Sequence, residues 1–325
     1  MKEKIKTAKD FICFYLALPL FVLMVLATGV GAVGSEAVVN THILINEEKE
    51  ISNPSSKIIL GEVSSEQGVF TISARDLSKD YNVLNATSKE IDEDELLASP
   101  LVYKYDDSAP MVLVVHTHGT ECYSSKEQSF STPDEKGRYG FYNSDSATRS
   151  TDVQSNMIAI GEAFCSALSK NGVSAIQCRI MHDREDYNSS YANSRQSIEE
   201  YLDEFPSIKY VIDVHRDSLT AEDGTKTKVI ASDIEGCAQV MLVNGTAFDN
   251  WEDNLSLALK FKKVMDEKYP SLSRPIYLRN SKYNLDLTRG SLLLEVGTCA
   301  NTLEEAKKAA ELSAECFATL IKQGN

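Results

Sequence analysis

Three polar clusters able to carry acid–base or metal chemistry follow directly on apolar runs in this 325-residue sequence. Val112–Val115 leads into His116-Thr117-His118-Gly119-Thr120-Glu121, and Tyr210–Val214 into His215-Arg216-Asp217. Leu292–Leu294 ends in Glu295-Val296-Gly297. The chain has only five histidines, and three of them sit in these clusters. Neutral imidazole nitrogens and a carboxylate oxygen suit Zn²⁺, which in catalytic sites keeps a fourth position open. The spacing His118-x-x-Glu121 lets one short loop offer two ligands, and His215 from another strand completes three. Glu295 is then the carboxylate left to act as general base toward water. Arg216 either stabilises an oxyanion or pairs with Asp217 or Asp213. A single histidine after a strand is more often structural than ligating. Three such clusters at three strand ends point to a metal site.

The elements that must bring these clusters together read as alternating strands and helices. Continuous apolar runs such as Val112–Val115 suit strands buried on both faces. Further strands are expected at Val173–Ile180 and Val240–Val243. Helices are expected at 151–170, opened by Thr151 and Gln154 and stopped by Asn171-Gly172, and at 193–205, 254–269 and 302–322. That order implies an α/β fold with a mainly parallel sheet flanked by helices. Ligands bind outside the carboxyl ends of such strands, so the three clusters should converge. Residues 119–150 form a long polar loop in which Tyr139, Phe141 and Tyr142 either line a groove or decorate a surface loop. Asn284 and Asp286 contact substrate or form a turn. His182 and His42 are expected to be structural or inert.

The chain carries 33 basic and 48 acidic residues, a net charge of −15. Residues 1–10 hold four lysines against two acids, so the remainder bears 29 basic and 46 acidic residues. A body that acidic disfavours nucleic acid as a partner. Phe11–Ser35 is 25 residues without a charge, long enough to cross a bilayer. The lysines ahead of it place the N-terminus inside and the rest outside the cytoplasm. A cleaved signal peptide is the rival reading. Three segments follow: a tip and membrane anchor over 1–35, an extracytoplasmic stalk over 36–108, and a catalytic domain over 109–325. Seven cysteines without a CxxC pair read as scattered buried thiols, with a nucleophilic Cys122 a minor alternative. No Walker or dinucleotide glycine motif is present.

At HTHGTECY (116–123), Asn156-x-x-x-x-Gly161, DVHRDS (213–218), AQVMLVNG (238–245), YNLDL (283–287) and LLLEVGTCANTLEEA (292–306), the chain resembles the sporulation stage II protein P family. The family is similar in fold to zinc-dependent N-acetylmuramoyl-L-alanine amidases. The resemblance implies an amidase/carboxypeptidase-like fold and a membrane-anchored peptidoglycan hydrolase, with amidase and crosslink endopeptidase activity, acting at the sporulation septum in forespore engulfment. It implies as partners a lytic transglycosylase and a polytopic membrane protein. Carried over, His118 and His215 match the zinc-binding histidines and Glu295 the catalytic glutamate. The third ligand is Glu121, by the His-x-x-Glu spacing of related zinc carboxypeptidases, or Asp152, at the place of the amidases' glutamate. His116 is an outer partner or exchanges roles with His118. The alternative from another class is a catalytically idle wall-binding module that recruits other hydrolases.

Overall fold

The computed structural model describes residues 60–66, 69–74, 82–107, 109–124, 148–220 and 226–324. In chain order the elements are β1 (Leu60–Glu66), β2 (Val69–Ala74), β3 (Val83–Asn85), α1 (Glu93–Ala98), β4 (Val112–Val115), α2 (Met157–Lys170), β5 (Ala175–Gln177), α3 (Ser190–Glu204), β6 (Tyr210–Asp217), β7 (Lys226–Ala231), β8 (Val240–Gly245), α4 (Trp251–Lys268), β9 (Ile276–Arg279), β10 (Ser291–Thr298) and α5 (Leu303–Gln323).

Seven strands form the main sheet in the order β3-β9-β8-β10-β6-β4-β5. Every neighbouring pair is parallel except β8 against β10. The sheet is therefore mixed, two parallel blocks joined at one antiparallel seam. Apolar runs alone do not encode strand direction, so the seam had no signature in the sequence. A three-stranded sheet, β1-β2-β7, lies beside it.

Strand alternation sorts the core into two faces. Val112, Val114, Ile212, Val214, Leu292, Leu294 and Val296 share a core with residues of α2, α4 and α5, such as Phe164, Phe261 and Phe317. Leu113, Val115 and Val211 pack with Ile198 of α3 on the other face. Asp213 and His215 follow Val211 at two-residue steps, so they stand on the α3 face. The antiparallel seam keeps β10 central, between β8 and β6.

Among the expected boundaries that move, two bear on how the domain is built. The stretch read as a stalk supplies β3 to the main sheet, and α1 packs against α4. The second change is at α2, which starts at Met157 and not 151. Asn156 is its N-cap, its side-chain oxygen accepting from Ile158 N. The preceding residues are held in a turn, Asp152 Oδ1 accepting from Gln154 N, which leaves Thr151 outside the helix. The C-terminal helix opens with a Thr302/Glu305 capping box. The expected span Phe11–Ser35 lies outside the described residues. Among the described residues no helix is long and apolar enough to cross a membrane.

Candidate metal centre

The sheet order places β6 between β4 and β10, so the carboxyl ends of all three converge. Val115 is in register with Asp213, and His215 with Glu295. The turn after β4 folds back through Glu121 N donating to His118 O, which brings the third ligand beside the first. Donor atoms of His118, Glu121 and His215 all lie within 4.8 Å of one another. The three residues are 9%, 7% and 3% exposed.

Both imidazoles turn Nδ1 toward the Glu121 carboxylate, at 3.8 Å from Oε1 for His118 and 3.8 Å from Oε2 for His215. Those separations are too long for hydrogen bonds. Both Nε2 atoms turn outward: that of His118 lies 3.1 Å from Ser190 Oγ, and that of His215 lies 3.0 Å from Asp213 Oδ1, in poor hydrogen-bond alignment. Outward partners that favour a proton on Nε2 leave the Nδ1 lone pair facing inward. Two such nitrogens and a carboxylate are a zinc donor set. The residues present thus fit the ion that the sequence pattern called for. Glu295 completes the arrangement: its Oε2 is buried without a hydrogen-bond partner.

The profile of the family described as Stage II sporulation protein P (SpoIIP) matches residues 33–318. The chain belongs to the SpoIIP family. It is 31% identical over 223 residues to stage II sporulation protein P of Bacillus subtilis (strain 168), covering 65% of this chain and 51% of that one. The chain therefore spans about half the length of this curated relative. Among solved structures it overlays loosely on N-acetylmuramoyl-L-alanine amidase AmiC2 of Nostoc punctiforme, at 13% identity over 66% of this chain and 97% of that chain, with a TM-score of 0.37. Ami1 of Mycobacterium smegmatis gives 11%, 66%, 98% and 0.38 in the same terms.

Within this SpoIIP-family chain, several expected residues have other employment. Arg216 follows His215 and so faces away from it. Its Nε donates to Cys122 O at 2.9 Å, its NH2 to Thr148 O at 3.0 Å and its NH1 to Asp217 O at 3.2 Å. The guanidinium thereby fixes the loop beside Glu121, whose Oε2 also accepts from Arg216 N at 3.3 Å. It pairs with neither aspartate: Asp217 binds Arg274 at 2.9 Å, and Asp213 faces His215. His116 points to the α2 side, with Val214 O at 3.2 Å and Gln177 Nε2 at 3.0 Å on its ring nitrogens. A Cβ at position 161 would overlap that ring, which explains Gly161 in the motif. The outer partner of His215 is Asp213 instead. Asp152 is exposed and belongs to the turn before α2. Asn284 ties to Tyr191 O, and Asp286 to Arg195. His182 is buried and bonded through His116 O and Ser197, as a structural histidine is. Tyr139, Phe141 and Tyr142 lie outside the described residues. Burial pushes the Cys122 thiol pKa up, which removes the basis for a thiolate nucleophile.

Asp213, expected only as a candidate partner of Arg216, instead faces His215. Its carboxylate accepts from Thr117 N at 2.9 Å and Thr117 Oγ1 at 2.6 Å while facing His215. The available signal was a lone acid inside the otherwise apolar run Tyr210–Val214. Burial lowers His118 to about 4, Glu121 opposing, so the ring is neutral at pH 7. Burial also disfavours charge on His215, yet the Asp213 carboxylate outweighs it and holds His215 up at about 10, so a metal ion bound there would displace the proton on Nδ1. Burial raises Glu295, with Asp217 and Glu121 adding to the effect and His215 and Arg274 opposing it. A carboxylate so raised is suited to accept a proton near neutral pH.

Proposed function

We propose that this chain is a zinc-dependent peptidoglycan hydrolase, an N-acetylmuramoyl-L-alanine amidase that also cleaves peptide crosslinks. The observation that carries the reading is the three-residue donor set with Glu295 in register beside it. Held by His118, Glu121 and His215, a zinc ion would polarise the scissile carbonyl and favour deprotonation of water. Glu295 takes a proton from the attacking water and returns it to the leaving amine. Asp213 fixes the His215 ring, and Arg216 fixes the loop that carries Glu121.

Family membership supports a role in sporulation, and the motifs matched in the sequence support wall degradation during engulfment. In this reading residues 11–35 anchor the chain in the cell membrane with the catalytic domain outside the cytoplasm. A lytic transglycosylase and a polytopic membrane protein are its partners.

The test is incubation of the full chain with purified peptidoglycan, with chelator and after zinc is restored, with fragments identified by mass spectrometry. Zinc-restored release of stem peptides from glycan is expected. Intact sacculi that bind the chain tightly would favour the wall-binding module and sink the amidase.

A further inference from the structure

Around His118 lies a ring of contacts that the proposed reaction does not use. Tyr187 stacks on the His118 imidazole with centroids 4.7 Å apart and planes at 20°. On the same tyrosine, Arg149 Cζ lies 4.7 Å from the ring centroid. Arg149 NH1 is 2.6 Å from Asp183 Oδ2 and 3.1 Å from Thr120 Oγ1. Asp183 in turn accepts from Thr120 N at 3.0 Å and Thr120 Oγ1 at 2.6 Å. Thr120 belongs to the turn that carries both His118 and Glu121. The contacts therefore close a circuit: His118, Tyr187, Arg149, Asp183, Thr120, and back to the ligand turn.

Tyr187 is 46% exposed, and it joins none of the hydrophobic clusters among the described residues. An aromatic ring so placed has little packing reason to stay on one imidazole face. Its position comes from the cation beside it and from the turn it sits in, where the Asp186 side chain accepts from Asn188 N at 3.1 Å. The bond from His118 Nε2 to Ser190 fixes the direction of one ring atom but not the ring plane. The stack supplies that second constraint, with the Tyr191 and His215 rings nearly perpendicular to the imidazole, centroids 5.5 Å and 5.0 Å away. Outer contacts that fix a ligating ring are worth 10–100-fold in metal affinity.

We propose that Tyr187, pressed down by the Arg149–Asp183 pair, is a positioning residue that clamps the His118 ring and sets the metal affinity of the site. The proposal rests on the metal reading above. Asp183 couples the clamp to the turn, so one carboxylate holds both ligands of the His-x-x-Glu pair in register.

The test is zinc binding by the full chain in competition with a chromophoric chelator, together with the visible spectrum of the Co²⁺ form. Tyr187→Ala should weaken zinc binding by about 10–100-fold and shift the Co²⁺ bands. Tyr187→Phe keeps the stacked ring, and it should retain both affinity and spectrum. The metal-free melting temperature should be unchanged in either variant, because the ring lies outside the core. Unchanged zinc affinity in Tyr187→Ala would overturn the clamp alone. So would an equal loss in Tyr187→Phe, or an affinity loss matched by a fall in metal-free stability. Absence of zinc binding by the unaltered chain would overturn the metal reading and the clamp with it.

Discussion

His215 on β6 and Glu295 on β10 are register partners across two adjacent parallel strands. Partners in a parallel ladder project to the same face, so the proposed base and one proposed ligand are set by backbone pairing and not by loop conformation. Just beyond Glu295 the register shifts, and Gly297 takes a left-handed conformation at φ 65°. A side chain there would be strained, disturbing the register shift that separates the Glu295 pair from the next one, Thr298 with Asp217.

Replacing Glu295 with Gln removes the proton acceptor while keeping the side-chain shape. Turnover should fall by about 10²–10⁴, and zinc content measured on the same sample should stay at the unaltered value. Loss of zinc in this variant would make Glu295 a ligand instead.

The same residue sets the pH dependence. Burial raises the Glu295 pKa, so protonation removes the base at a pH above the ordinary glutamate value of about 4.3. Activity should therefore fall on acidification through that raised value and recover as the pH rises. A profile of kcat/KM on a soluble muropeptide checks this. A rate that stays flat down to pH 5 would contradict it.

Asp213→Asn keeps the volume and removes the charge that faces His215 and accepts from Thr117. Zinc affinity should drop by about 10–100-fold, read by chelator competition. Affinity equal to the unaltered chain would show that His215 is oriented by other groups.

Arg216→Met removes the guanidinium donors from the Cys122 and Thr148 carbonyl oxygens, the latter keeping its bond from Cys122 N. Lost stability of a few kcal/mol is expected, with zinc content falling as the Glu121 loop loosens. Unchanged melting temperature and zinc content, with only turnover reduced, would restore the oxyanion role read from the sequence.

Much of the site was legible because its residue types break apolar runs: His118 follows the buried strand β4, His215 and Glu295 interrupt the apolar runs inside β6 and β10, and Glu121 follows His118 at a ligand spacing. What one face of a strand does to its neighbours was less legible. His116 continues the α2-facing alternation of Val112 and Val114, and Arg216 stands one residue from His215, so both turn away from the metal-facing set. Asp213 was hidden within the otherwise apolar run Tyr210–Val214. Asn156 outweighed Thr151 as a helix cap because of a local turn at Asp152, which a capping-box pattern does not register. Tyr187 and Asp183 carry no motif at all; their meaning arises only when the start of α3 is laid against the turn after β4.

The central claim is that His118, Glu121 and His215 hold one metal ion. Diffraction from zinc-soaked crystals at the zinc absorption edge tests it directly. The structure predicts a single anomalous peak bounded by the two Nδ1 atoms and the Glu121 carboxylate. A zinc-loaded crystal without a peak there, or with its peak at Asp152, would contradict it.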